Sequence, residues 1–425
     1  MTSTTNAEDA PPAASASPAT ITGGLRYVLP FMLANAGMLA VFQGLQQIIL
    51  PNQIAAIDDA GKVGAYGLLA SIGALAAAFS NPLFGAISDR TRTRFGRRAP
   101  WLVLTAVVTL LLMALLSGAN TLFLIGAAYV LVMISTGGYQ AVISATVPDR
   151  VPEKRRGTIS SLAATASTIG SVAAINVAAQ LVGQPLLANV VIASILVVAT
   201  ALLVIIAPDP TAGRRDANEV REKQSITTFF SALKDHDFAW AFFARVAIMV
   251  GYFTVSTYQL YTLTDYIGVE NLPGGNVTAA TALLGTINLG CTGAASLLAG
   301  PLSDLIKRRK VFVVVASIGV GAGALVPVFM PTFTGMIIFS VVVGIFFGAY
   351  YAVDAAIMTL VLPKAENSAR DLGLLNIGNT GPQIAGPFIA ALVITLLGGY
   401  QALYIFCAVI AVISAFLILP IRKIR

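Results

Sequence analysis

Apolar residues run along this chain in stretches of about 20, separated by short segments rich in glycine, proline and charged residues. A helix needs about 20 apolar residues to cross roughly 30 Å of hydrocarbon, whereas a membrane β-strand would give alternating segments of about 10. The pattern predicts an all-α membrane protein with twelve transmembrane helices. The predicted spans 1–6 are Leu25–Leu50, Val63–Phe84, Trp101–Ser117, Leu122–Val147, Thr158–Val182 and Leu186–Ile206. Spans 7–12 are Ala239–Tyr266, Val277–Leu302, Val311–Phe329, Phe333–Leu362, Leu372–Leu397 and Tyr400–Pro420.

The polar segments predict four regions. Residues 1–24 are rich in Ser, Thr, Ala and Pro and lack the apolar core of a signal peptide, so we expect a disordered cytoplasmic tail. Residues 25–206 form an N-terminal six-helix bundle, residues 207–238 a cytoplasmic linker, and residues 239–425 a C-terminal six-helix bundle.

The two bundles repeat each other in sequence. The stretch "GAISDRTRTRFGRR" after span 2 is echoed by "GPLSDLIKRRK" after span 8, with Asp89 and Asp304 at matching positions. The same offset of 215 residues relates Pro148 to Pro363. Internal duplication within the membrane is typical of secondary transporters. The sequence therefore predicts two pseudo-symmetric six-helix halves.

Composition and charge set the class and the orientation. The chain has 425 residues, of which 57% are hydrophobic and 11% charged, and this excludes a soluble protein. With both termini in the cytoplasm, all of the 26 Lys and Arg residues fall in or beside cytoplasmic segments except Lys62, in an outside loop, and Arg245, within span 7. The net charge of +7 thus indicates topology and binding of anionic lipid headgroups on the cytoplasmic face. It does not indicate nucleic acid.

Few residues suit catalysis or metal binding. Cys291 and Cys407 lie in apolar runs, and the lone histidine, His236, lies in the linker. We predict no disulfide framework, no metal site, no cofactor and no enzyme activity. A channel is disfavoured because the repeats differ at key positions: Asp354 in span 10 corresponds to Tyr139 in span 4.

The segment Gly85–Pro100 concentrates charge, with Asp89 followed by five arginines: Arg90, Arg92, Arg94, Arg97 and Arg98. A carboxylate at the end of one helix favours the positive N-terminus of another. We predict a latch in which Asp89 faces the start of span 11, near Arg370, and to which Gly85, Arg90, Arg97 and Arg98 also belong. By symmetry, Asp304 faces the start of span 5, near Arg155 and Arg156. The alternative is that the loop only determines topology.

These residues carry a resemblance to a known family. Gly85, Asp89, Arg90, Gly96, Arg97 and Arg98 resemble the loop 2–3 signature of the major facilitator superfamily. The longer string "NPLFGAISDRTRTRFGRRAPW" is similar to the glycoside–pentoside–hexuronide:cation symporters and the sucrose/proton transporters. The resemblance implies a secondary transporter whose spans 1, 4, 7 and 10 surround a central cavity. Acids that help to bind sodium in the symporters are replaced here by Ala77 and Asn81, which argues against that kind of sodium site.

Polar side chains within the apolar spans are the candidate substrate ligands. Amides are costly in hydrocarbon and favour a lining role, whereas the tyrosines are equally consistent with packing. Neutral hydrogen-bonding groups suit a polyhydroxy ligand such as a sugar. The candidates are Gln43, Gln46, Gln47, Tyr139, Gln140, Tyr252, Gln259, Tyr351, Asn376, Asn379 and Gln383.

Asp354 and Arg245 are the candidate proton-coupling pair. An acid within a span is costly and indicates function with a partner, and Arg245 is the base within a span. If spans 7 and 10 adjoin, the two side chains can pair, structurally or for coupling. Asp265, near the outer edge of span 7, is predicted to be solvated.

The predicted function is uptake of a small polar solute, a sugar or glycoside, by proton symport and alternating access. We predict a monomer in the cell membrane. Efflux of a metabolite or drug is the alternative, because uptake and efflux use the same architecture. The "GP" signature of span 5 in drug/proton antiporters is absent from Thr158–Val182.

Overall fold

A computed structural model describes residues 25–209, 235–306, 308–361 and 368–421. Twelve of its helices are long and apolar enough to cross a membrane, which confirms the predicted all-α, twelve-span fold. Spans 2–6 are Lys62–Arg90, Ala99–Ser117, Leu122–Arg150, Glu153–Gln180 and Pro185–Ile206. Spans 8–12 are Val277–Ile306, Arg309–Phe329, Phe333–Val361, Ser368–Leu396 and Gly399–Ile418.

The sequence repeat recurs in the helix starts. Spans 2 and 8 begin at Lys62 and Val277, so their starts are separated by the same 215 residues as the sequence motifs. Span 2 continues beyond the predicted Phe84, and span 5 starts before the predicted Thr158. Charged residues that the predicted bounds leave in loops therefore belong to the ends of these two helices.

Spans 1 and 7 are not the continuous α-helices that the sequence predicts. Span 1 consists of Leu25–Gly44, a π-helical turn at Leu45–Ile49 and Leu50–Ile57. Span 7 consists of His236–Thr257, Gln259–Tyr261 and a π-helical turn at Thr262–Gly268. Short π-helical turns are rare and are often found at functional sites. Here they interrupt the first helix of each half.

Two helix pairs form the most extensive contacts between the halves. Span 2 packs against span 11, and span 5 packs against span 8. In the second pair, the Asn176 amide donates a hydrogen bond to Thr286 Oγ1 at 2.9 Å. The inner parts of spans 1 and 7 lie between these two interfaces and line the central region.

Glycines allow spans 8 and 10 to pack closely. A Cβ atom at Gly348 would lie 2.3 Å from the Thr292 carbonyl oxygen, and one at Gly344 would lie 2.8 Å from the Asn288 carbonyl oxygen. Ser296 Oγ also donates to the Gly348 carbonyl at 2.9 Å. Small residues that bring helix backbones together are a usual means of helix association in membranes.

Candidate functional site

Two adjacent cavities lie between the halves. The two cavities share a wall that consists of two pairs of residues. Within each pair, the two residues lie one helical turn apart. Gln43 and Gln47 come from span 1, and Tyr252 and Ser256 come from span 7.

The lining of both cavities combines amide and hydroxyl side chains with apolar ones. The first extends toward spans 8 and 10, where Asn288 and Ser340 add to Gln259. The second extends toward spans 2 and 11, where Tyr66 and Gln383 join Gln46 and Thr257. Among the residues that the structure describes, no Asp, Glu, Lys or Arg lines either cavity. This environment offers many hydrogen bonds without a fixed charge.

Six of the candidate substrate residues converge on these cavities, and their contact with a substrate remains a prediction. They are Gln43, Gln46, Gln47, Tyr252, Gln259 and Gln383.

Other candidates lie elsewhere. Tyr139 is fully buried, and its hydroxyl forms a 2.8 Å hydrogen bond with Thr200 on span 6. It is therefore a packing residue in this structure, and span 4 does not line these two cavities. Gln140 is exposed, and Tyr351 is 50% exposed. The side chain of Asn376 lies outside the described part of the chain.

Asn288 is a cavity residue that the candidate set omits. The Tyr252 hydroxyl donates to Asn288 Oδ1 at 2.9 Å, and the Asn288 amide donates to the Ser340 carbonyl at 3.3 Å. The Tyr252 ring also stacks on Phe347, with centroids 3.7 Å apart and planes 5° from parallel. Tyr252 is therefore held on two sides. An amide in the middle of an apolar span was the available signal for Asn288.

Arg245 and Asp354 form the predicted ion pair. Arg245 Nη1 lies 3.3 Å from Asp354 Oδ2, and both residues are buried, at 6% and 3% exposure. The Tyr350 hydroxyl donates to Asp354 Oδ1 at 3.2 Å, and Arg245 Nη2 donates to Asn379 Oδ1. Asn379 therefore contacts the ion pair, and it is absent from the lining of both cavities. The pair links spans 7, 10 and 11.

A second charge network lies at the arginine-rich end of span 2. Arg98 is buried, with Nη2 2.7 Å from Asp89 and Nε 3.2 Å from Asp149, and its backbone N–H donates to Asp209 at 2.7 Å. Arg97 also pairs with Asp149 at 2.5 Å. Partial burial lowers the pKa of Arg97, but the hydrogen bond and charge of Asp149 outweigh it and raise the pKa overall. This network ties spans 2 and 4 to the end of span 6.

The latch residues are only partly brought together. The described partner of Asp89 is Arg98, another of the predicted latch residues, which belongs to the same half. Gly85 has open space around it, and Arg90 is exposed. The exposed Arg155 lies on the first turn of span 5, and Arg156 Nε donates to the Val151 carbonyl at 3.1 Å. The side chains of Asp304 and Arg370 lie outside the described part of the chain, so contacts across the halves remain a prediction.

The opposite end of span 2 departs from the predictions. Lys62 is not in a loop but is the first residue of span 2, and it is only 6% exposed. Its Nζ lies 2.7 Å from Asp59 and 2.8 Å from Asp265. Asp265 also accepts a hydrogen bond from the Tyr400 hydroxyl at 2.7 Å. Asp265 is exposed, as the sequence predicts, and it also has two partners, Lys62 and Tyr400, that the sequence does not indicate.

Solved structures with a similar fold are membrane transporters. The nucleoside transporter NupG superposes with a TM-score of 0.68 and 15% identity, over 94% of this chain and all of that one. A mutant of NupG superposes with a TM-score of 0.73 and 15% sequence identity, over 93% of this chain and 100% of the mutant's chain. The third structure is a bacterial homologue of the human lysosomal transporter Spinster in an inward-facing, unoccupied conformation. It superposes with a TM-score of 0.65 and 14% sequence identity, over 92% of this chain and 94% of the homologue.

Family membership is shown by the sequence itself. No curated protein matches the chain at a significant level. The family profile described as Major Facilitator Superfamily matches residues 32–287 and 275–425, which together cover most of the chain. With twelve apolar helices and this profile, the chain is a multi-pass membrane transport protein and not an enzyme, and it belongs to the Major Facilitator Superfamily.

Proposed function

We propose that this transporter moves a small neutral polyhydroxy solute, a sugar or glycoside, by alternating access coupled to proton symport. The observation that carries the proposal is the uncharged, hydrogen-bonding lining of the two cavities between the halves. Amide groups that both donate and accept suit hydroxyl groups, which do the same. A charged solute would lack a counter-charge among the described lining residues.

The buried Arg245–Asp354 pair supports proton coupling. Ionisable groups within a membrane are costly and are commonly found in proton relays. The pair lies off the cavities but is connected to them through span 11. Asn379 contacts Arg245, and Gln383, one helical turn further along, lines a cavity. A change in the charge of Asp354 can therefore reach the cavity through one helix.

The test of substrate class is counterflow in proteoliposomes. A panel of mono- and disaccharides and glycosides is assayed with and without a pH gradient, with nucleosides included because NupG is a nucleoside transporter. Stimulation of uptake by an inward proton gradient supports symport. Stimulation by the opposite gradient indicates the efflux alternative. Transport of charged solutes only would contradict the neutral-substrate proposal.

Replacing a cavity amide should weaken substrate binding. We expect Gln43→Ala and Gln383→Ala to raise KM by up to about tenfold each, because one hydrogen bond contributes about 0.5–1.5 kcal/mol. The matched control is Gln140→Ala, which removes an exposed amide away from both cavities. KM is measured in the counterflow assay. An equal change in KM for Gln140→Ala would show that the cavity amides are not specific ligands.

The latch at the arginine-rich face is also part of the proposed cycle. We expect Asp89→Asn to favour opening of this face by a few-fold, since the predicted contact of the Asp89 carboxylate with the start of span 11 would contribute about 0.3–1 kcal/mol. The readout is the alkylation rate of a cysteine at Thr168, which packs near Gly293 of span 8, in a chain with Cys291 and Cys407 replaced. Glu153→Gln, an exposed acid of span 5, is the control. If the cysteine is alkylated at the wild-type rate in both variants, Asp89 does not hold this face closed.

A further inference from the structure

Lys62 is a buried cation that connects the two halves of the transporter. It begins span 2, yet its Nζ lies 2.8 Å from Asp265 Oδ1 on the π-helical turn of span 7, 203 residues away. The second oxygen of Asp265 accepts a hydrogen bond from Tyr400 of span 12 at 2.7 Å. Asp265 is thus fixed by one residue from each half.

The two acids beside Lys62 differ in what they can do. Asp59 belongs to the same half as Lys62, and its side chain is 79% exposed. Asp265 belongs to the other half, and its side chain is 29% exposed. Separating the halves at this end would keep the Lys62–Asp59 contact but break the contact with Asp265. A buried cation that loses a partner carries a substantial desolvation cost.

Tyrosine side chains close the space around this ion pair. The Tyr258 hydroxyl donates to the Val63 carbonyl at 2.7 Å, and the Tyr261 hydroxyl donates to the Pro51 carbonyl at 2.8 Å. Both bonds run from span 7 to the N-terminal half. The Tyr66 ring packs edge-on against both rings, with centroids 5.5 Å and 5.6 Å apart. All three tyrosines are buried, so this end is closed in the structure.

We propose that the Lys62–Asp265 ion pair and the Tyr66–Tyr258–Tyr261 cluster form a gate that closes this face, which is the outer face in the predicted orientation. The gate is built on the two irregular helices. Pro51 follows the π-helical turn of span 1, and Asp265 lies within that of span 7. These turns are the places where the ends of spans 1 and 7 separate from each other when the gate opens.

The gate adjoins the cavity that we assign to the substrate. Tyr66 lines the cavity that extends toward spans 2 and 11. Its hydroxyl also donates to the Gln46 carbonyl, within the π-helical turn of span 1, at 2.6 Å. Tyr66 is thus both a wall of the cavity and a member of the gate. The gate itself does not depend on what the substrate is or on proton coupling.

Distances between spin labels test the gate in the full-length protein in lipid nanodiscs, without added substrate. Labels are placed at Ala60 and Val269, exposed residues on opposite sides of the gate, after replacement of Cys291 and Cys407. We expect Lys62→Met and Asp265→Asn each to increase the population at long distance about tenfold. Asp59→Asn is the control and should leave the distances unchanged, because Asp59 does not join the halves.

The double variant Lys62→Met/Asp265→Asn should populate the long distance no more than the single variant with the larger effect, because both changes remove the same contact. Tyr261→Phe keeps the ring and removes only the bond to Pro51, so a smaller shift in the same direction is expected even if Lys62→Met fails to fold. Unchanged distances in Asp265→Asn and Tyr261→Phe, or an equal opening in Asp59→Asn, would overturn the proposal.

Discussion

Asp354→Asn is expected to abolish accumulation of substrate driven by a pH gradient while leaving substrate exchange intact. Asparagine has nearly the shape of a protonated aspartate but cannot release a proton. Exchange needs only the loaded carrier to change conformation, whereas net symport needs the proton to leave on the other side. Uphill uptake and counterflow, measured on the same proteoliposomes, separate the two activities.

Glu270→Gln is the matched control for this experiment, because it neutralises an exposed acid that lies away from the ion pair. It should retain both activities. If Asp354→Asn still accumulates substrate against its gradient, Asp354 has a structural role. Coupling would then run through other groups, or the protein would be a uniporter.

Arg245→Met is expected to destabilise the folded protein by about 3–5 kcal/mol, the usual cost of breaking a buried ion pair by removing one partner. The change leaves the Asp354 carboxylate buried at 3% exposure without its cation, and it also removes the hydrogen bond to Asn379. The readout is unfolding in detergent, followed by circular dichroism over a denaturant series.

The double variant Arg245→Met/Asp354→Asn should recover much of that loss, because it leaves no unpaired charge in the buried site. The pair of single variants and the double variant form a thermodynamic cycle that isolates the interaction of the two side chains. Strictly additive losses would show that Arg245 and Asp354 act independently. The cycle measures stability alone, so its result does not depend on the proton-coupling proposal.

The sequence determined the class, the number of spans and the repeat. These follow from local properties: about 20 apolar residues are needed to cross the bilayer, so each span can be identified without knowledge of its neighbours. The same logic identified Asp354 and Arg245, since charges within apolar spans need a partner and few were available. It also selected the glutamines of span 1, because an amide in hydrocarbon needs a polar environment.

Only the tertiary structure decided which side chains face the cavity and which meet across the halves. Tyr139 and Tyr252 are both tyrosines within apolar spans, yet one bonds Thr200 inside its own half and the other lines the cavity. Helix rotation about its axis sets this difference, and it depends on packing against neighbouring helices. Lys62 and Asp265 are 203 residues apart, and a π-helical turn sets the position of Asp265. Such a contact has no local signature, because its energy exists only once both halves are folded and in contact.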